Sequence, residues 1–250
     1  MDYNEKILML NFKDLNIGFA KTKKTEAVKL FDAANLKFEA GDFVAVIGPN
    51  GSGKTTLFNT ILGQLTPLKG EICFEEKNWS ALSRTEKAKH LSFVPSKFEG
   101  IQHLTVFDLI AMGRAPYTNL LNKLSSEDLS VVEKVLDQLN LSKYKYKNTL
   151  NLSDGERQIA MIGKALAQES EIMILDEPTA FLDYNNRRKV LKLLQHIVEV
   201  NNQLVFISSH DLELCFGYCN RIIAIDTRKN ELVNFNAPFD KELIIKKVFE

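Results

Sequence analysis

The chain predicts an α/β fold built on a mainly parallel central sheet. Short apolar runs of strand length recur at Phe43–Ile47, Leu91–Val94, Ile172–Asp176, Leu204–Ser208 and Ile222–Asp226. Helix-like segments separate them, which favours parallel strands joined by crossovers. The first of these runs also ends in a glycine-rich turn that opens into the helix-competent Thr55-Thr56-Leu57-Phe58-Asn59.

That turn reads Gly48-Pro49-Asn50-Gly51-Ser52-Gly53-Lys54-Thr55, a full match to the G-x-x-x-x-G-K-[ST] phosphate loop. A buried strand, a glycine-rich turn and a helix start aim backbone N–H groups at one point, where an anionic phosphate can sit. Gly48, Gly51 and Gly53 allow backbone angles and close approach that a Cβ would obstruct. Lys54 supplies a point charge to the β and γ oxygens, and the Thr55 hydroxyl is placed to ligate Mg²⁺. Pro49, Asn50, Ser52 and Thr56 complete the expected contacts to a nucleoside triphosphate.

Before the loop, two strand-like stretches around Leu8–Ile17 and Asn35–Phe38 flank the polar tract Lys21-Thr22-Lys23-Lys24-Thr25-Glu26. They read as a hairpin at one sheet edge, with the basic tract a solvated loop. Residues from about Lys97 to Leu150 read mostly helical. An apolar stripe at Leu129, Val132, Val135, Leu136 and Leu139 follows helical spacing. An inserted helical subdomain is expected at roughly 97–160, within a single domain spanning 1–250. A surface helix is expected within Asn236–Glu250.

Composition bounds the function. With 250 residues, 45% hydrophobic and 26% charged, the chain can bury one substantial core. Its net charge of +0 gives no global basic field, so nucleic acid and anionic lipid are not expected as main partners. Cys73, Cys215 and Cys219 form neither a disulfide framework nor a thiolate metal site by spacing, and Cys215 and Cys219 read as small core residues. The N-terminus lacks a secretory pattern and no apolar run approaches membrane-spanning length. A cytosolic location is expected unless a partner holds the chain at a membrane.

A second constellation is Ile172-Met173-Ile174-Leu175-Asp176-Glu177-Pro178-Thr179. Four apolar residues followed by two carboxylates at a strand's C-terminal end is the form of the Mg²⁺-holding strand in phosphate-loop NTPases. Asp176 is the candidate for the Mg²⁺ shell and Glu177 for polarising the attacking water. Upstream, Leu152-Ser153-Asp154-Gly155-Glu156 precedes a helix-like run, with Ser153 and Glu156 spaced as a capping box.

Taken in order, these motifs resemble the nucleotide-binding subunits of ABC transporters. In that family the phosphate loop is followed by an L-S-G-G-Q signature, a strand ending in Asp-Glu-Pro, an S/A-x-L-D loop and a lone histidine after a further strand. Here these are matched by Leu152–Glu156, Asp176-Glu177-Pro178, Ala180-Phe181-Leu182-Asp183 and His210 in Ser208-Ser209-His210-Asp211. The resemblance covers essentially the whole chain. It implies a phosphate-loop ATPase of ABC type, with an antiparallel β subdomain beside the mainly parallel core sheet. It also implies a head-to-tail dimer, either of this chain or with a related subunit. Each ATP would lie between one copy's phosphate loop and the other's Ser153, Asp154, Gly155 and Glu156 turn. Glu177 would activate water, His210 would contact the γ-phosphate, Asp183 would couple the two sites, and Phe19 would stack on adenine. Hydrolysis would drive motion in separate permease subunits, held at the inner face of the membrane and served by a substrate-binding protein.

The chain departs from the pattern in places. After Leu91-Ser92-Phe93-Val94-Pro95, the family's usual glutamine is replaced by Ser96, carried here as a candidate metal contact. Its side chain is too short to reach Mg²⁺ in the same way, so a bridging water, nearby Gln102 or altered coupling must stand in. The signature carries Asp154 for glycine and Glu156 for glutamine. Because a carboxylate aimed at a γ-phosphate would repel it, the Asp154 side chain is expected to face outward, with Ser153 and Glu156 fixing the turn.

Leu104–Tyr117, ending in Gly113-Arg114-Ala115-Pro116-Tyr117, resembles the V-x-x-L-V-x-x-G-R-x-P-Y pattern of ATPases serving iron-siderophore, haem and cobalamin importers. This region of the family forms the groove that receives a permease helix. An importer for another substrate remains open, as does a soluble ABC ATPase of the iron–sulfur assembly type. Coiled-coil and tandem-ATPase classes lack support in the absence of sustained heptads or a second phosphate loop.

Overall fold

The computed structural model describes residues 8–20, 28–32, 35–118 and 123–249. It divides into two compact units, one of Met1–Ser83 with Leu191–Glu250 and one of Arg84–Val190. In chain order, the first unit opens with β1 (Leu8–Phe19), β2 (Val28–Asp32), β3 (Leu36–Glu39), β4 (Phe43–Ile47), α1 (Lys54–Ile61), β5 (Lys69–Phe74) and β6 (Lys77–Asn78). The second unit holds α2 (Arg84–His90), β7 (Leu91–Val94), α3 (Val106–Ala111), α4 (Ser126–Gln138), α5 (Asp154–Ala167) and β8 (Ile172–Leu175). Helix α6 (Tyr184–Asn201) begins in the second unit and ends in the first. The first unit then closes with β9 (Leu204–Ser208), α7 (Leu212–Tyr218), β10 (Arg221–Asp226), β11 (Glu231–Asn236) and α8 (Lys241–Phe249).

In the first unit the strands run in the order β6-β5-β1-β2-β11-β10-β4-β9, with β3 pairing β1 off that path. β4 lies between β10 and β9, parallel to both. A parallel strand inside such a sheet is covered on both faces, so it reads as a continuous apolar run. All five residues of β4 and of β9 are accordingly buried. Phe12, Phe38 and Phe206 pack edge to face, with ring centroids 5.1 and 4.9 Å apart, and tie β1, β3 and β9 into one core.

The expected two-stranded hairpin is corrected. β1 pairs antiparallel with β3, but β2 intervenes in sequence and pairs with β1 as well, as does β5. The tract 21–26 lies outside the described residues. β2 and β11 each bury a single side chain fully, so their sequences carry little strand-like alternation. The C-terminal stretch does form a helix, α8, which rests on β10 through buried Ile244 and Val248 while Leu243 and Ile245 stay exposed. The three cysteines are free and buried, and burial together with a hydrogen bond to Cys215 pushes the Cys219 thiol up.

In the second unit β7 and β8 pair in parallel, Leu91 with Ile172 through Val94 with Leu175. Residues 97–104 contain no helix; the first begins at Val106 behind a Thr105–Asp108 capping box. Of the expected stripe, Val132, Val135, Leu136 and Leu139 are buried, but Leu129 is 41% exposed. At the start of α4 the inward position belongs instead to Asp128. Its Oδ1 accepts from Arg114 Nε at 2.9 Å, and both side chains are only 7% exposed. Arg114 also donates to the Ala167 carbonyl at 2.8 Å and to Glu169 Oε2 at 2.6 Å, and lies 4.2 Å from the Tyr117 ring centroid. Among the described residues, no helix is long and apolar enough to cross a membrane.

Candidate functional site

The phosphate loop leaves the end of β4 and enters α1 through Gly53, the helix N-cap, in the left-handed region at φ 105. A Cβ there would stand 2.9 Å from Phe31 Cε1 and 3.1 Å from Leu30 Cδ1, so both the backbone angle and the space demand glycine. No side chain caps α1, which directs its first-turn N–H groups at the loop. At Gly51, φ 76, no atom of the described residues lies within 4 Å of a Cβ position, leaving that face open to a phosphate. Among the described residues, buried Ser52 Oγ has no hydrogen-bond partner. An orphaned hydroxyl of this kind costs about 1–3 kcal/mol and calls for an acceptor, which a phosphate oxygen supplies. Buried Lys54 places Nζ 2.9 Å from the Gly48 carbonyl and 3.2 Å from that of Pro49. The cradle thus fits a nucleotide's phosphates. Asn50 and Thr55 are exposed, while Pro49 and Thr56 are half-buried.

His210 follows β9 and is exposed. Val46 pairs with Ser208, and the Ser209 N–H donates to the Val46 carbonyl at 3.3 Å, so His210 leaves the sheet at the edge from which the loop emerges. Phe19 ends β1 opposite Val28 and is 48% exposed, which excludes a core role. Its neighbouring strand β2 is the one whose Phe31 backs Gly53.

In the second unit Asp176 follows β8, and its N–H donates to the Val94 carbonyl at 3.0 Å. Half-buried Ser96 lies just beyond Val94, so the β7–β8 pair delivers Ser96 and Asp176 to one strand end. Gln102 is exposed. Glu177 adopts φ 46, a left-handed conformation unusual for a residue with a Cβ and costing about 1–3 kcal/mol.

The signature turn is a closed capping box. Ser153 Oγ accepts from the Glu156 N–H at 3.3 Å, and Glu156 Oε2 accepts from the Ser153 N–H at 2.9 Å. Asp154 faces outward, 68% exposed, with a carboxylate oxygen 3.4 Å from Arg157 Nη2. Arg157 donates to the carbonyls of Glu99 and Leu152 at 2.8 and 2.9 Å. The Tyr144 hydroxyl, then the Ser153 N–H, hold the Glu156 carboxyl below the usual range, and Lys147 Nζ lies 3.7 Å away. Asp183 caps α6, with Oδ1 accepting from the Asn186 N–H at 2.9 Å and Oδ2 from Asn186 Nδ2 at 2.7 Å. Those bonds hold the Asp183 carboxyl below its ordinary value, the backbone N–H contributing most.

Asn186, Tyr144, Lys147 and Phe31 were not singled out in the sequence. Asn186 alone had a local signal, since Asp183 stands where an N-cap would and Asn186 at its N3 position. The others reach the site only through tertiary packing.

The ABC transporter family model matches residues 31–180. An uncharacterized ABC transporter ATP-binding protein of Methanocaldococcus jannaschii is 31% identical over 97% of this chain and 81% of its own length. The petrobactin import ATP-binding protein FpuC of Bacillus anthracis is 34% identical over 78% of this chain and 72% of its own. Among solved structures, a metal-chelate type ABC transporter in an inward-facing conformation matches with TM-score 0.81 and 28% identity, over 97% of this chain and 89% of that one. An ATP-binding cassette solved as a dimer in a post-hydrolysis state with ADP and Pi matches with TM-score 0.76 and 25% identity, over 92% of this chain and 100% of that one. Together with the phosphate cradle around Lys54, these likenesses place the chain: it belongs to the ABC transporter family, as an ATP-binding subunit that hydrolyses ATP.

Proposed function

We propose that this chain powers an importer of an iron chelate, a siderophore or haem, or of cobalamin, as a dimer beneath a separate permease at the inner face of the membrane. The observation that carries the reading is the surface formed by Leu104–Tyr117. There α3 and the turn after it border a hollow of about 300 Å³, lined by Phe107, Asp108, Ala111, Met112 and Leu124, with Met112 51% exposed. A mostly apolar hollow beside a helix suits a short helix from a partner protein. The names of relatives support the substrate class. They include a siderophore transport ATP-binding protein of Bacillus subtilis and a cobalamin import ATP-binding protein of Halobacterium salinarum.

In this reading 1–250 is one ATPase domain, with roughly 97–160 as its inserted helical part. Lys54 exchanges the Gly48 and Pro49 carbonyls for β and γ oxygens of ATP, and Ser52 donates to a phosphate. Phe19 offers its exposed face to the base. Thr55 and Asp176 are the oxygen donors suited to Mg²⁺, with Ser96 acting through water. Bound Mg²⁺ supplies charge neutralisation on the transferred phosphoryl group. Glu177 takes a proton from water as its oxygen bonds to the γ-phosphorus and the bond to ADP breaks. His210 donates a hydrogen bond to the γ-phosphate. Ser153, the Gly155 N–H and the start of α5 close over the partner's ATP, and Asp183 couples the two sites.

The test is purification of the tagged chain from gently solubilised native membranes, using Glu177→Gln with ATP to hold the closed state. Mass spectrometry should find a polytopic permease, and its binding protein would narrow the substrate. Recovery of a soluble assembly without any membrane protein would overturn the importer reading in favour of a soluble ABC ATPase.

A further inference from the structure

The Asp183 carboxylate accepts from both the backbone and the side chain of Asn186, and from the Asn185 N–H as well. The Asn186 backbone N–H takes Oδ1 and its side-chain Nδ2 takes Oδ2, at 2.9 and 2.7 Å. The Nδ2 bond tethers the Asn186 side-chain amide to the Asp183 carboxylate, while the backbone bond holds the start of α6 against it. The tethered amide lies against the signature turn. The three atoms nearest to where a Cβ on Gly155 would stand are Asn186 Cγ at 3.2 Å and its Nδ2 and Oδ1 at 3.4 Å. Gly155 is buried in the first turn of α5, where backbone N–H groups have no partner within the helix. The Ser153–Glu156 capping box closes the turn, and the Asn186 amide packs against it at Gly155.

We infer that Asn186 is a positioning residue for the signature turn, transmitting the placement of Asp183 to Gly155 within the same subunit. The inference rests on the head-to-tail dimer reading, in which the Gly155 N–H meets the partner's nucleotide. Asp183 and Gly155 then respond as one unit through an amide that touches no nucleotide itself. A merely local role, capping α6, would give a different signature, because the cap depends on the Asp183 carboxylate and the Asn186 backbone rather than its side chain.

ATP-driven self-association, followed by sedimentation of the full chain in a Glu177→Gln background, tests this. Binding of a fluorescent ATP analogue to the monomer and the thermal midpoint are read alongside. Asn186→Ala should weaken self-association roughly tenfold, the size of one hydrogen bond to a charged group, with analogue binding within about twofold of the parent. Asp183→Ala should give a similar loss, and the double variant should be no worse than the more severe single one. Asn186→Asp, which keeps the shape but loses the donor, should reproduce the Ala result if Asn186→Ala folds poorly. Undiminished association in both Asn186 variants, or losses that multiply in the double variant, would overturn the inference alone. Equal falls in analogue binding and association would do the same, by marking a general structural defect. Failure of the parent itself to associate with ATP would overturn the dimer reading and the inference with it.

Discussion

The Lys54 ammonium lies 2.9 Å from the Gly48 carbonyl oxygen, folded back across the loop that precedes it. The charge is thereby held over the phosphate cradle on a helix start rather than left to sample solvent. Lys54→Met should keep the fold yet lower ATP turnover by about a hundredfold or more, the scale of losing one electrostatic contact to a transferring group. Steady-state phosphate release and calorimetric ATP binding check this; unchanged turnover would remove Lys54 from the mechanism.

Gly53 is constrained twice, by φ 105 and by the Phe31 ring. Gly53→Ala should therefore abolish nucleotide binding and destabilise the chain by more than about 1 kcal/mol. Adding Phe31→Ala should not restore binding, because the left-handed backbone remains costly for alanine. Denaturant melts and nucleotide titration of the single and double variants decide it.

The buried Arg114–Asp128 pair anchors the G-R-x-P-Y segment to α4. Arg114→Met leaves Asp128 buried without its cation and should cost about 3–5 kcal/mol by urea denaturation. The Ser125 N–H and the Arg114 guanidinium hold the Asp128 carboxyl below its ordinary value. A depressed carboxyl contributes stability that is present above its unfolded value and lost as pH falls through the folded one. The stability gap between the parent and Asp128→Asn should thus be constant from neutrality down to about pH 4 and shrink below it.

The two acidic departures in the signature should behave differently. Asp154 points outward beside Arg157, so Asp154→Gly should change ATP-driven self-association by no more than about twofold; a strong tightening would show that its charge reaches the phosphate. Glu156→Ala opens the capping box and should cost about 1 kcal/mol of stability, read by thermal melts.

How far the sequence could be read followed from where each signal originates. β4, β8 and β9 were legible because strands covered on both faces read as near-continuous apolar runs, β7 because Leu91, Phe93 and Val94 leave only Ser92 polar, and the phosphate loop because its chemistry is local. β2 and β11 were not, since each buries only one side chain fully and its pairing is set by neighbours. The Leu129 position was misread for a related reason: buried Asp128 takes the inward place beside it through a partner, Arg114, that lies on another element. The outward turn of Asp154 followed from charge repulsion at a phosphate site together with the capping pair Ser153 and Glu156, whereas the seating of Asn186 against Gly155 needed coordinates.

In the proposed mechanism Glu177, held at φ 46 beside Asp176, activates the water that cleaves ATP. Phosphate release from ATP with Mg²⁺ should be compared for the parent and Glu177→Gln at matched nucleotide occupancy. The parent should turn over clearly and the variant should fall by about a hundredfold or more, with ATP binding retained. Equal rates in the two proteins would contradict it.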